Sequence, residues 1–263
     1  MPTVANKSLN KDRRAVIDNI RKKQGRSERA RGAAIVGVCI AIALLIVGAA
    51  AWGPITDFFK SSKYDDVALQ DVGKSTKAAG CQKVIETKAD GNQNHIATGT
   101  EQTYTTAPPA FGPHWNEANV APADMSRKFY SAGDRPDLEA LVHNLEHGYT
   151  IVWYDKTVSE DELNLLRVIG DKFAGTSNFR YKFIAAPWTA ADAKETAVAG
   201  DKKTEFPSGT HIALTHWYAD PANPTEASTQ KGVFQYCEGV SGEAIKDFMT
   251  TYPYTNTPEP QAM

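Results

Sequence analysis

No glycine-rich phosphate loop, no dinucleotide fingerprint and no G-x-S-x-G elbow occurs anywhere in the 263 residues. Nothing therefore points to nucleotide chemistry, to an organic cofactor or to a serine nucleophile. No internal repeat is visible, which removes solenoids and propellers. Cysteine is scarce, at three residues. Hydrophobic residues make up 41% and charged residues 23%, a balance that excludes a disordered or collagen-like chain. The most telling absence is local: the 25 residues between Arg31 and Asp57 contain no charged side chain.

That run, residues 32–56, reads as a membrane-spanning helix. At about 1.5 Å per residue it reaches roughly 37 Å, enough to cross a hydrocarbon core of about 30 Å with some tilt. Trp52 stands where an interfacial aromatic belongs and Pro54 near the end. Residues 1–31 hold ten Lys/Arg against three Asp/Glu, and because the whole chain totals −2, the remainder carries −9. The basic flank places the N-terminus in the cytoplasm and the body outside it, giving a single-pass plasma-membrane protein anchored in lipid through residues 32–56. An uncleaved anchor fits better than a cleaved signal peptide ending near Ala49-Ala50-Ala51, because the head and the apolar run are both long for a signal. The head reads as a topology signal touching anionic headgroups. No base-reading motif accompanies it, so no nucleic-acid partner is expected.

Beyond the span, residues 57–79 read as a polar tether, 80–253 as the extracytoplasmic domain and 254–263 as a disordered tail. Cys39 lies within the apolar run and reads as a small hydrophobe. Cys81 and Cys237 are the only cysteines of the body, and in an oxidising space they are expected to form a disulfide. Within the domain, Gln82–Glu86, Tyr149–Tyr154, Arg180–Ala185 and His211–Tyr218 read as strands. Helices are expected from Pro136 to Gly148, from the capping box Ser159–Glu162 to Phe173, and over Glu243–Tyr252. Residues 189–208 read as partly helical and exposed. Pro108, Pro109 and Pro113 make residues 108–115 a rigid loop. The alternation predicts an α+β or α/β domain, with a mixed β-sheet flanked by helices, behind the transmembrane helix.

All six histidines fall in the body. His143 and His147 are four apart on the first expected helix. With Leu138 at 0° and about 100° per residue, the apolar stripe centres near 350°, Glu146 near 80°, His143 near 140° and His147 near 180°. Two imidazoles at i and i+4 match the spacing by which one metal ion takes two nitrogens. Histidines at a helix end are also favoured simply by the dipole. The proline-braced loop presents a further histidine, His114. His211 and His216, five apart in a strand, face opposite ways and read as structural. The string His143-Asn144-Leu145-Glu146-His147 matches H-x-x-E-H, in which two histidines bind zinc and Glu146 would be the catalytic base. A third ligand from a later helix is hard to find, Glu243 being the only weak candidate.

PPAFGPH (108–114) and LVHNLEHG (141–148), followed by YTIVWY, resemble an uncharacterised family of membrane-anchored envelope proteins common in actinobacteria. Its members show PP-x-x-G-x-H, a spacer, then VHNLEHG and a hydrophobic strand. Ala110-Phe111 departs from the small hydroxyl residues more usual there. The resemblance spans roughly residues 80–250 and implies His95, His114, His143 and His147, with Tyr104, as matched polar positions; it carries no activity. The expectation is an extracytoplasmic domain binding copper or zinc through His114, His143 and His147. His95 or Glu146 would be a fourth or supporting group, as would Tyr104. The alternatives are a non-catalytic accessory domain with an envelope protein partner and, behind it, a zinc peptidase.

Overall fold

The computed structural model describes residues 18–19, 21–23, 35–47, 63–89, 93–192 and 206–262. The chain divides into two units, Met1–Phe59 and Lys60–Met263. In the first, residues 35–47 are helical and expose Ile35, Val36, Leu44 and Leu45 to at least 59%. Among the described residues no helix is long and apolar enough to cross a membrane. The remainder of the expected span and most of the 189–208 segment lie outside the described residues.

The second unit is α+β. Its principal sheet has five strands: β1 (Ile85–Lys88), β4 (Thr150–Tyr154), β5 (Phe183–Pro187), β6 (Ile212–Tyr218) and β7 (Lys231–Cys237). They lie in the order β1-β7-β6-β4-β5. β4 and β5 are parallel, and the other three pairings are antiparallel, so the sheet is mixed. Two short strands, β2 (His95–Ile96) and β3 (His114–Trp115), pair in parallel apart from it. Among the described residues the unit's longer helices are α1 (Leu138–Glu146), α2 (Glu160–Lys172) and α3 (Gly242–Thr251).

Strand alternation sorts the core into two layers. Ile151, Trp153, Ala213, Trp217, Phe234 and Tyr236 meet Leu138, Leu141, Val142 and Leu145 of α1. Val152, Tyr154, Leu214, Val233 and Cys237 instead meet α2 and α3 through Leu166, Ile169, Ile245 and Phe248. Both faces of the sheet are covered at β4 and β5, which are buried throughout, and this is why β4 reads as a continuous apolar run. The Ser159 hydroxyl accepts from the Glu162 amide at the start of α2, as the capping box predicts. Gly148 ends α1 with φ +91°, and a Cβ there would lie 2.6 Å from the Tyr254 carbonyl oxygen, so only glycine allows the turn and the close packing behind it.

The structure differs from the sequence reading at several elements. β7 is a central strand in a stretch not read as one. Residues 63–79 are not a free tether, since Val72 is fully buried and packs in the layer beneath α3. Residues 254–262 are not disordered. Thr257 is buried, and its hydroxyl donates to the Leu145 and Glu146 carbonyls, capping acceptors left open at the end of α1. The buried Lys182 ammonium donates to the His147, Pro260 and Ala262 carbonyls. That satisfies all three of its protons, and burial lowers its pKa to about 8. Cys81 and Cys237 form the expected disulfide.

Candidate metal centre

The centre is built where α1 ends against the proline-braced loop. α1 is buried on every side: its apolar stripe faces the sheet, and its other face is covered by the segment from β2 to Met125. Asn144 pins that cover, its side chain exchanging two hydrogen bonds with the Ala123 backbone, at 2.8 and 2.9 Å. Pairing of β2 with β3 sets His95 opposite His114. The Tyr104 hydroxyl donates to the Pro113 carbonyl at 2.7 Å, steadying the residue just before His114. Tyr104 thus supports the loop.

His95, His114, His143 and Glu146 come together, with one donor atom from each within 4.8 Å of the others. Such a group could hold a metal ion. His114 is fully buried, and His143 and Glu146 are nearly so. His143 Nδ1 lies 2.6 Å from the Trp115 carbonyl oxygen and His114 Nδ1 lies 2.8 Å from that of Gly112. A carbonyl can only accept, so both Nδ1 atoms carry the proton, and Nε2 is the ring nitrogen left to act as a ligand. His95 Nδ1 is 3.1 Å from the Asn116 side-chain amide. The Nε2 atoms of His114 and His95 lie 2.8 and 3.6 Å from Glu146 Oε2. Beyond these approaches, His114 Nε2 and Glu146 Oε2 are buried with no hydrogen-bond partner among the described residues, an arrangement that costs free energy unless something else completes it.

Glu146 is oriented from its other oxygen. Gln93 Nε2 donates to Oε1 at 3.0 Å, Gln230 Nε2 donates to Gln93 Oε1 at 2.8 Å, and Trp217 Nε1 donates to Gln230 Oε1 at 3.1 Å. Burial alone would raise the Glu146 carboxyl, but His114, then Gln93 and His143, hold it below the ordinary carboxylate value. Burial, with His147 and His114 alongside, pushes His143 down to about 3. These two residues are thus poised as an anion and a neutral imidazole, the forms that bind metal.

His147 does not join that group. Its ring stands 4.4 Å from that of His143, centroid to centroid, but it groups with Glu146 and Glu259, its Nε2 lying 3.4 Å from Glu259 Oε2. The H-x-x-E-H string is therefore not arranged as two histidine ligands beside a free base, since Glu146 faces His114. Glu243 is committed elsewhere, accepting from the Thr76 amide at 2.6 Å. His216 sets Nδ1 against the Tyr149 carbonyl and Nε2 against that of Asn256, while His211 meets Asp155 at 2.9 Å. Sequence reasoning missed Gln93 and Glu259. Neither carries a local signal, one lying in a polar loop and the other in a tail that looked unstructured.

The family model described as "Protein of unknown function (DUF3105)" matches residues 95–263, which includes His95, His114, His143, Glu146, His147 and Glu259 but not Gln93. No curated protein and no solved structure matches the chain.

Proposed function

The chain belongs to the DUF3105 family of proteins of unknown function, and from that premise we propose that it is a membrane-anchored extracytoplasmic domain that binds a transition-metal ion through His95, His114, His143 and Glu146. One observation carries the reading: three imidazoles and a carboxylate converge within 4.8 Å in a largely buried place. Two of those rings have Nδ1 tied to backbone carbonyls, the outer hydrogen bonding that metal-ligating histidines use. Three nitrogens and one oxygen suit zinc or copper. The bound ion would serve envelope metal handling or brace the fold.

Anchoring is supported by the uncharged run over 32–56 and by the exposed isoleucine, valine and leucine side chains of the helical residues 35–47. The Cys81–Cys237 bond fits an oxidising compartment. Elemental analysis of the full chain in detergent, after mild reconstitution with zinc or copper, tests the metal reading. At least one ion per chain, lost in His114→Ala/His143→Ala, is expected. Less than about 0.2 ion per chain, with no effect of the substitutions, sinks it. Protease added outside intact cells is expected to digest the body and spare the basic head; a protected body would refute the topology.

A further inference from the structure

The group of Glu146, His147 and Glu259 stands apart from the inner one yet shares its carboxylate. Its donor atoms also lie within 4.8 Å of one another. Glu259 does not reach this place by chance of a loose tail. Its amide donates to the Glu146 carbonyl at 3.1 Å. Two residues before it, Thr257 is tied to the end of α1. One residue after it, Pro260 is held by the buried Lys182 ammonium, which also grips the His147 carbonyl. The ordering cost of bringing a carboxylate to His147 has thus been met by the fold, as preorganised sites require.

Glu146 has capacity for both groups. A carboxylate presents two oxygens and about four lone-pair positions. Gln93 takes one on Oε1, and His114 and His95 approach Oε2. His147 caps the C-terminal end of α1, where the helix dipole favours a cation. The Glu259 side chain is 46% exposed and that of His147 7%, so water can complete an ion's shell on this side, while His114, His143 and Glu146 of the inner group are buried.

We propose that Glu146, His147 and Glu259 form a second, outer ion site, so that the protein holds two divalent ions bridged by the Glu146 carboxylate. This rests on the inner-site reading above. The inner ion is held by three histidines and binds tightly; the outer ion, with one histidine and open water, binds more weakly and exchanges first.

Copper(II) titration of the full chain in detergent, followed by calorimetry and electron paramagnetic resonance, tests this. Two equivalents in a tight and a weaker step are expected, with the fully loaded spectrum broadened by coupling between the ions. Glu259→Gln and His147→Ala are each expected to lose the weaker equivalent and give an unbroadened single-ion spectrum. Metal-free thermal melts of both variants check that they fold. One tight equivalent in the parent, unchanged by Glu259→Gln, overturns the outer site and leaves the inner one standing. Two equivalents without coupling overturn the bridge. No binding at all removes the inner reading together with this one.

Discussion

At the scale of single residues, the directed chain from Trp217 through Gln230 and Gln93 to Glu146 fixes which carboxylate oxygen faces the histidines. Each link runs donor to acceptor, so the last acceptor is best satisfied as a carboxylate anion. Gln93→Leu is expected to weaken metal binding by roughly 10–100-fold while leaving the stoichiometry intact; calorimetry on the variant checks it, and an unchanged affinity would show that the relay is decorative. Burial sets a second residue-level property. His216, fully enclosed, has its pKa lowered to about 4 by desolvation. In the unfolded chain a histidine titrates near 6.5. Below that pH the unfolded state takes up a proton that the folded state refuses until about pH 4, so stability falls as pH drops through this window. His216 alone is worth about 3 kcal/mol there, and His143 adds in the same direction. Denaturant melts of the metal-free protein at pH 7 and pH 4.5 measure it; a flat profile contradicts the assignment. Of the site's members, His143 and Glu146 were legible because helical spacing fixes their relative directions; that spacing also suggested His147, which groups with Glu259 instead. His114 and His95 were named from the proline-braced loop and the family resemblance, whereas Gln93 was not legible, since an irregular loop has no period from which position can be read.

At the scale of elements, helices announced themselves better than strands. α2 was legible from its capping box and α1 from its apolar stripe, because both signals are local. β7 was hidden: Lys231-Gly232-Val233-Phe234-Gln235-Tyr236-Cys237 mixes a glycine and two polar residues into a central strand. The structure explains both oddities. Gln235 turns its amide to the Gln82 carbonyl at 3.1 Å. Gly232 leaves room for Phe111, whose ring would lie 2.6 Å from a Cβ at that position. Phe111 belongs to the proline-braced loop, so this bare stretch of strand is what lets the loop settle and deliver His114. Gly232→Ala is expected to cost about 1–3 kcal/mol through overpacking and to weaken metal binding as well. Thermal melts and metal titration read the two effects, and a variant of parental stability would mean that the ring moves freely.

At the scale of the whole molecule, the centre is an assembly of distant parts. His95 comes from β2, His114 from β3, His143 and Glu146 from α1, and Glu259 from the tail that Lys182 secures. The α+β class was legible from the alternation of elements, but strand order was not, because it depends on long-range pairing such as β1 with β7. The disulfide joins Cys237, at the end of β7, to Cys81, just before β1, across 156 residues. Closing so long a loop is expected to stabilise the fold by about 2–5 kcal/mol. Melts with and without a reductant, repeated on Cys81→Ser/Cys237→Ser, measure it, and a melting temperature indifferent to both would contradict this. The same separation sets a schedule during biosynthesis. A ribosome adding about 5–20 residues per second exposes the first thiol some tens of seconds or less before its mate exists, and the edge strand beside it has no neighbour until β7 follows. Glu259 emerges later still, so the newborn chain has both thiols before it can complete its outer group.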